Sequence, residues 1–167
     1  MDEILSTIFS RRSIRRYTDE PVSEAEIQSL LEAGMAAPSG SNLKPWHFVV
    51  VTDAETLQAL AEAHPYGKML ARAAAAIAVC GDPGISDWWV QDCSAATENI
   101  LIAAAGLDLG AVWISSHGRP EREGAIRDVL GIPATIGVLS LVSIGHPAEE
   151  KPARTQFDAA RVHRDRW

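Results

Sequence analysis

Cysteine is scarce in this sequence, and the familiar metal and nucleophile motifs are absent. Only two cysteines, Cys80 and Cys93, occur among 167 residues. They lack CxxC spacing, and we interpret both as buried structural thiols rather than as metal ligands or a disulfide. The histidines are scattered without an HExxH motif, and no GxSxG motif marks a nucleophilic serine. The sequence therefore predicts no metal site and gives no support to metal-dependent hydrolysis or to a serine triad.

Glycine-rich phosphate loops and long apolar runs are missing as well. The sequence contains neither the GxGxxG fingerprint of nicotinamide-binding Rossmann domains nor a Walker A loop. Its strongly apolar runs, such as residues 100–106, are far shorter than the roughly 18 residues that a membrane-spanning helix needs. No signal peptide is recognisable at the start. We therefore expect a soluble, cytoplasmic protein that does not bind a membrane.

Positive charge is scarce and unevenly distributed. The chain carries 15 Lys and Arg residues against 22 Asp and Glu residues, for a formal net charge of −7. This acidic balance disfavours binding to nucleic acids. Of the 12 arginines, four lie in residues 11–16 and four in residues 154–166. We therefore expect the two ends of the chain to meet around one bound anion.

Residues 11–16, Arg-Arg-Ser-Ile-Arg-Arg, form a dense cluster of charge that we call the arginine segment. Guanidinium groups and a serine hydroxyl are suited to bind a phosphate group. From the residues alone, a solvated basic face and a nucleic-acid patch are the alternatives. The loop over residues 38–45 is a second candidate, because its small residues would let backbone N–H groups approach a flat ligand. Its alternative is an ordinary helix-to-strand connection.

Apolar periodicity and capping signals predict about five helices and four strands. Residues 23–26, Ser-Glu-Ala-Glu, form a capping box, in which serine and glutamate satisfy backbone N–H groups at a helix start. Helices are predicted over residues 2–10, 24–37, 54–63, 87–105 and 120–130, a short helix over 68–72, and strands over 46–52, 75–81, 111–115 and 136–145. This mixed order predicts one domain, residues 1–167, of the α/β or α+β class with a central sheet.

Taken in order, these motifs resemble the nitroreductase family of FMN-dependent oxidoreductases. The family's RxSxR motif is present as Arg11, Ser13 and Arg15, and its P-S-x-x-N-x-Q-P-W loop as residues 38–46. Residues 92–99, 106–114, 145–147 and 162–167 resemble its central helix, the following strand and its C-terminal pattern. The chain departs from the family at Lys44, which replaces a glutamine, at Ala74, which replaces a proline, and at Ser115-Ser116, which replace a glycine. The resemblance covers nearly the whole chain.

The resemblance implies an α+β fold, a three-layer α/β/α sandwich with a central, mainly antiparallel sheet flanked by helices. It also implies a homodimer, in which residues 146–167 wrap the partner and FMN binds at the subunit interface. Lys68, by itself an ordinary solvated lysine, matches a lysine near the flavin pyrimidine ring. The implied roles are phosphate binding by Arg11, Ser13 and Arg154 with help from Arg12, a ribityl or pyrimidine contact by Arg15, a backbone N–H of Ser115 or Ser116 facing flavin N5, and contacts by Pro38, Ser39 and Asn42 from the partner subunit.

The implied function is hydride transfer from NAD(P)H through flavin N5 to a nitroaromatic, quinone or enone acceptor in a ping-pong cycle. Because the cofactor carries the chemistry, no side chain is assigned as catalytic. One alternative is another flavin reaction on the same scaffold, such as that of a dehydrogenase, a dehalogenase or a flavin-fragmenting enzyme. Another is a flavin-binding protein without enzyme activity. Residues 82–87 leave little room for a lid over the flavin, which favours an open site.

Overall fold

Five α-helices and four β-strands alternate along residues 2–167, the part of the chain that the computed structural model describes. Met1, the first residue of the predicted 1–167 domain, lies outside the described residues. Short 3₁₀ turns cover Gly40–Asn42, Lys68–Arg72 and Ala159–Arg161. The helices are α1 (Glu3–Ser10), α2 (Glu24–Met35), α3 (Ala54–Ala63), α4 (Trp89–Gly106) and α5 (Pro120–Leu130), and the strands are β1 (Trp46–Val51), β2 (Ala75–Gly81), β3 (Gly110–Ser115) and β4 (Gly137–Gly145).

The four strands form one antiparallel sheet in the order β1-β2-β4-β3. β3 pairs with β4 from Gly110 opposite Gly145 to Ser115 opposite Ser140. Every residue of β2 is buried, since a central strand covered on both faces has no side that faces solvent. β3 lies at one edge of the sheet, so part of its backbone hydrogen-bonding capacity points away from β4. The predicted antiparallel sheet is confirmed.

Helices cover both faces of this sheet. Because side chains alternate along a strand, Ile77 of β2 packs in a core with residues of α2 and α4, whereas Ala78 packs in a second core with residues of α3 and α5. Leu30 of α2 and Ile100 of α4 are fully buried in the first core, and Ile126 of α5 is fully buried in the second. The arrangement is the predicted three-layer α+β sandwich.

The predicted element boundaries agree with the structure to within a few residues. The capping box is present, with the Ser23 N–H donating to Glu26 Oε2 at 2.7 Å and the Glu26 N–H donating to Ser23 Oγ at 3.3 Å. α4 begins at Trp89 rather than at residue 87, because the N–H groups of Trp88 and Trp89 donate to Oγ and O of Ser86 and form a turn. Among residues 2–167, no helix has both the length and the hydropathy of a membrane-spanning segment.

The arginine segment lies along the free edge of β3. Ser13 forms a parallel bridge with Ala111 of β3, and Tyr17 forms an antiparallel bridge with Pro147. The chain between these two bridges therefore follows the sheet edge as a short, irregular addition. The fold thus places the arginine segment next to the backbone groups that β3 leaves unpaired.

Candidate functional site

Two buried side chains anchor the arginine segment to the sheet. The Ile14 N–H donates to Ala111 O at 3.0 Å, and the Ile14 side chain packs against Gly110 at the start of β3. The Tyr17 hydroxyl donates to Ile14 O at 2.9 Å, and its oxygen also lies 3.3 Å from Ser143 O. Burial raises the pKa of Tyr17 to about 12. The backbone of the neighbouring arginines is therefore held in place by these backbone and core contacts.

Residues 149–154, at the start of the C-terminal segment, lie against the arginine segment and the end of α1. Glu149 Oε1 accepts the Arg15 N–H at 2.7 Å, and this hydrogen bond lowers the pKa of Glu149. Lys151 donates to Ser13 O, and Arg12 donates to Pro152 O. The Arg154 N–H donates to Phe9 O at 3.1 Å at the end of α1. Of the four C-terminal arginines, Arg154 is therefore the one that these contacts bring close to the arginine segment.

The structure divides the predicted cofactor-binding arginines between two environments. Arg11 Nε lies 3.4 Å from Glu98 Oε1 of α4, and both side chains are partly exposed. Arg11 and Arg12 line a cavity of about 360 Å³ together with Lys151. Arg15 lines a different cavity, of about 640 Å³. An anion that bridges Arg11 and Arg15 would therefore lie along the arginine segment, between the two cavities.

The 640 Å³ cavity, here called the main cavity, brings together three of the predicted cofactor ligands. Arg15, Lys68 and Ser115 line it. A second cavity of about 510 Å³ shares Arg15 and Lys68 and adds Arg16 and Arg72. The described residues that line these two cavities include no aspartate or glutamate, although the whole chain is acidic. The remaining residues around the main cavity are His64, Pro65, Tyr66, Met69, Val112, Trp113, Ile114 and Arg122.

The edge of β3 distinguishes the two predicted backbone donors, Ser115 and Ser116. The Ser116 N–H donates to Leu139 O at 3.1 Å, so residues 116 and 139 form a hydrogen-bonded pair. Such pairs alternate with non-hydrogen-bonded pairs in an antiparallel ladder. Ser115 opposite Ser140 is therefore a non-hydrogen-bonded pair, and the Ser115 N–H points away from β4. Of the two donors, only the one at Ser115 is free to bind a ligand at the sheet edge.

His64 contributes to the site without being foreseen from the sequence. Its side chain is buried, with Nε2 at 3.1 Å from Ser115 O and with Nδ1 accepting the Tyr66 N–H at 3.2 Å. These contacts assign the proton to Nε2, which donates to Ser115 O. Burial lowers the pKa of His64, the hydrogen bond to Ser115 opposes that shift, and the charge of Arg122 lowers the pKa further. Neutral His64 therefore ties the end of β3 to the turn that carries Tyr66 and Lys68.

The second predicted loop, residues 38–45, lies apart from the main cavity. Pro38, Ser39 and Asn42 do not line that cavity. The Gly40 N–H donates to Oδ1 of the buried Asp92 at 2.9 Å, which ties the loop to α4. The loop holds Ser41, Asn42 and Lys44 at φ of 51°, 58° and 52°, a left-handed conformation that is uncommon for residues other than glycine. Within one chain, these residues and the main cavity form separate parts of the surface.

A sequence comparison identifies the family. The model of the nitroreductase family matches residues 8–64 and 62–146, which together make up most of the chain. The chain belongs to the nitroreductase family. A relative from Archaeoglobus fulgidus, provisionally named NADH dehydrogenase/NAD(P)H nitroreductase, is 50% identical over 174 residues and covers 100% of both chains. The resemblance stated from the motifs is thereby confirmed.

Solved nitroreductases share the fold. A provisionally assigned nitroreductase from Desulfovibrio desulfuricans, solved in complex with FMN, superimposes with a TM-score of 0.85 at 32% identity and covers 100% of this chain and 99% of that one. The NADPH:FMN oxidoreductase of Vibrio harveyi, solved with NAD⁺, superimposes with a TM-score of 0.86 at 26% identity over 98% of this chain and 77% of that one. The three-layer nitroreductase fold is therefore common to these proteins and to this chain.

Proposed function

We infer that this chain is an FMN-dependent NAD(P)H oxidoreductase. Its family membership supports the inference, as do the FMN and the NAD⁺ bound in its structural neighbours. The observation that carries it is the main cavity, which joins Arg15 and Lys68 to the free edge of β3 beside the arginine segment. That combination offers positive charge and backbone donors at one place, as a phosphorylated, planar cofactor requires.

The residues present fit FMN in volume and in donor chemistry. The main cavity, at about 640 Å³, lies within the range of about 300–1,000 Å³ that is usual for small-ligand sites. Val112 and Ile114 give its wall an apolar surface, whereas Arg15 and Lys68 supply cations. The Ser115 N–H is an unpaired donor at the sheet edge, suited to an acceptor nitrogen or oxygen of a flat ring. The apolar wall, the two cations and this donor are complementary to the apolar ring system and the polar edge of a flavin.

We propose that the phosphate group of the cofactor binds to Arg11, Ser13 and Arg154, with Arg12 beside them. Arg11 would exchange its partly exposed contact with Glu98 for the phosphate, which offers a stronger charge-assisted hydrogen bond. The Ser13 carbonyl is already held by Lys151. This leaves the Ser13 hydroxyl as the group that would reach the ligand. The backbone contact between Arg154 and Phe9 would bring the tail residue to the same end.

FMN, when bound, supplies a carrier that accepts a hydride at N5 from NAD(P)H and returns it to an acceptor. The contribution of this chain is to bind and orient the ring and to stabilise negative charge on it. Arg15 and Lys68 would stabilise such charge at the pyrimidine side, because cations near a developing anion lower its free energy. The Ser115 N–H would be the donor to N5, since the Ser116 N–H is engaged by Leu139. No side chain is needed as an acid or a base.

We propose that donor and acceptor use the same open site in turn, which is a ping-pong cycle, with nitroaromatics, quinones or enones as acceptors. The segment between β2 and α4, residues 82–88, is short and consists of turns. It provides no extra helix that would close over the main cavity, so the site is suited to several planar acceptors. A dehydrogenase, a dehalogenase or a flavin-fragmenting enzyme would be the alternative reaction on this scaffold.

We propose that the protein is a single-domain homodimer with the cofactor at the subunit interface. α1 exposes Ile4, Leu5 and Ile8 on its surface, and the C-terminal segment exposes Phe157 and Trp167. Exposed apolar side chains on these two elements support the proposal, since burial against another chain would remove them from water. Residues 146–167 would wrap the partner, and Pro38, Ser39 and Asn42 would reach the partner's flavin. Their separation from the main cavity within one chain is consistent with that role.

The decisive experiment is anaerobic titration of the purified, yellow protein with NADH and with NADPH. We expect the flavin absorbance to bleach with either or both donors and to return when a quinone or a nitroaromatic compound is added. A yellow protein that neither donor reduces would be a flavin-binding protein without this activity, and the inference would be wrong. Size measurement of the flavin-loaded protein tests the dimer, which a mass of one chain, 18.0 kDa, would exclude.

A further inference from the structure

Arg122 occupies an unusual position for an arginine of this chain. Its guanidinium carbon lies 5.2 Å from the centroid of the Tyr66 ring, and both residues line the main cavity. Tyr66 is 67% exposed, so its ring is not a core residue that Arg122 merely covers. An arginine stacked on a ring keeps the N–H groups at its edge available for a second partner. Tyr66 and Arg122 therefore form one wall of a binding site that is already arranged before a ligand binds.

No carboxylate neutralises this guanidinium. Among residues 2–167, Arg122 forms no salt bridge, like most of the arginines; Arg11, with Glu98, and Arg161, with Asp158, are the two that do. Glu123, the adjacent residue on α5, is already engaged, because its Oε1 accepts the Gly118 N–H at 2.9 Å and lies 3.3 Å from His117 Nδ1. The charge of Arg122 is therefore directed to the cavity instead of being cancelled by the protein.

The pair shares the main cavity with Ser115 but lines a different set of cavities from Arg15 and Lys68, the two cations assigned to the cofactor. Arg15 and Lys68 line both the main cavity and the second cavity, whereas Tyr66 and Arg122 line only the main cavity. The pair therefore lies on a part of the main cavity wall that the second cavity does not share. Because the phosphate of the cofactor is proposed to bind at the arginine segment, Arg122 would be free to bind a further anionic group on this part of the wall.

We propose that Arg122, held on the ring of Tyr66, binds the anionic group of a substrate of the flavin site. The ligand chemistry is an oxyanion on or near a planar ring, which the fork of the guanidinium can bind through two N–H groups while the exposed tyrosine face contacts the ring. Two substrates of the site contain such an oxyanion: an aromatic acceptor with a carboxylate, and the nicotinamide donor with its phosphate groups. This proposal rests on the function inferred above, since it names the class of substrate that the same site prefers.

The test compares charged and uncharged substrates of the same shape in the holoenzyme. The acceptors are 4-nitrobenzoate and 4-nitrobenzamide, and the donors are NADH and NADPH, followed as anaerobic flavin reduction. Arg122→Gln removes the charge, and Arg119→Gln is the matched control. Arg119 is exposed, precedes the same helix and lies outside both cavities. Arg122→Lys keeps the charge and loses the planar fork.

A charge-assisted contact of this kind corresponds to a change of about 10- to 100-fold. We expect Arg122→Gln to lower the ratio of kcat/KM for 4-nitrobenzoate over 4-nitrobenzamide by that factor if the acceptor supplies the anion. If the nicotinamide donor supplies the anion, Arg122→Gln should slow the anaerobic reduction of the flavin instead. A contact with the 2′-phosphate slows reduction by NADPH alone, whereas a contact with the pyrophosphate slows reduction by both donors. Arg122→Lys should give an intermediate loss, and Arg119→Gln none.

Two results would overturn the proposal. One is an Arg122→Gln protein that retains the charged-to-uncharged ratio and reacts with both donors at the original rates. The other is an Arg122→Gln protein that is purified without flavin, which would assign Arg122 to the cofactor instead. Binding of 4-nitrobenzoate to the oxidised protein, followed by the change in flavin absorbance, needs no turnover. It therefore tests Arg122 even if NAD(P)H fails to reduce the protein, in which case only the inferred function is wrong.

Discussion

Gly110 is the position at which the smallest substitution should disturb the arginine segment. Gly110 starts β3, and a Cβ atom there would lie 2.6 Å from Cγ2 and 3.0 Å from Cβ of Ile14, and 3.3 Å from Gly145 O. Gly145 belongs to β4 and pairs with Gly110 itself in the ladder between β3 and β4, so its oxygen cannot retreat. In Gly110→Ala, Ile14 must move instead, and Arg15 next to it must move as well.

The expected loss has two components. Inserting a methyl group into a packed contact of this kind costs about 1–3 kcal/mol of the free energy of unfolding. Displacing Arg15 should also weaken FMN binding by about tenfold or more, the equivalent of one impaired charge-assisted hydrogen bond. Gly124→Ala is the control, because a Cβ atom there meets no other atom within 4 Å. Gly124 lies inside α5, so alanine should stabilise the protein by about 0.5–1 kcal/mol.

A double-mutant cycle with Ile14→Ala isolates the contact. Ile14→Ala alone should cost about 2 kcal/mol or more, because it removes a buried side chain. It also removes Cγ2, the atom nearest to the new methyl group. Urea unfolding and FMN titration are measured for the wild type, the two single variants and the double variant. The loss in the double variant should be smaller than the sum of the two single losses, by at least about 0.5 kcal/mol. Strictly additive losses would refute the assignment of Ile14 as the anchor of the arginine segment.

Two pH dependences follow from buried groups. The pKa of Tyr17 is about 12 in the folded chain, against a usual value of 10.0. The stability that the neutral hydroxyl contributes is therefore fully present below pH 10, and about 2–3 kcal/mol of the free energy of unfolding is lost between pH 10 and 12. Urea unfolding should show this loss in the wild type and not in Tyr17→Phe. The pKa of His64 is lowered from 6.5, so below pH 6.5 the unfolded chain binds a proton that the folded chain resists, and stability falls by up to about 1.4 kcal/mol per pH unit. His64→Gln should remove this part of the acid sensitivity, and an unchanged slope would contradict a buried, neutral imidazole.

The helices and strands were largely predictable because their signals are local in the sequence. The capping box at Ser23, the proline at the start of α5 and the apolar runs of β2 and β4 each act within a few residues of chain. They therefore predicted the elements, with boundaries that agree with the structure to within two residues. α4 was predicted to start two residues early, because the contact of Ser86 with Trp88 and Trp89 outweighed the helical pattern.

The geometry of the candidate site was less accessible, since it depends on contacts between distant residues. His64 and Ser115 are 51 positions apart, and no local signature marks their hydrogen bond. Likewise, only the pairing of Ser116 with Leu139 shows which of two adjacent serines has a free N–H. Arg122 was not foreseen either, because its significance comes from the ring beneath it and from the lack of a carboxylate. The motif residues Arg15 and Lys68 were foreseen through resemblance, and their roles stay predictions.

The most direct test of this account is the affinity of the flavin-free protein for FMN, measured in the wild type and in Arg11→Ala/Arg15→Ala. Two lost charge-assisted contacts should weaken binding by about 100-fold or more, while the circular dichroism spectrum stays that of the folded protein. Arg119→Glu changes the net charge by the same amount outside both cavities and should bind FMN as the wild type does. A folded double variant that binds FMN with the wild-type affinity would contradict the central claim that the arginine segment holds the cofactor.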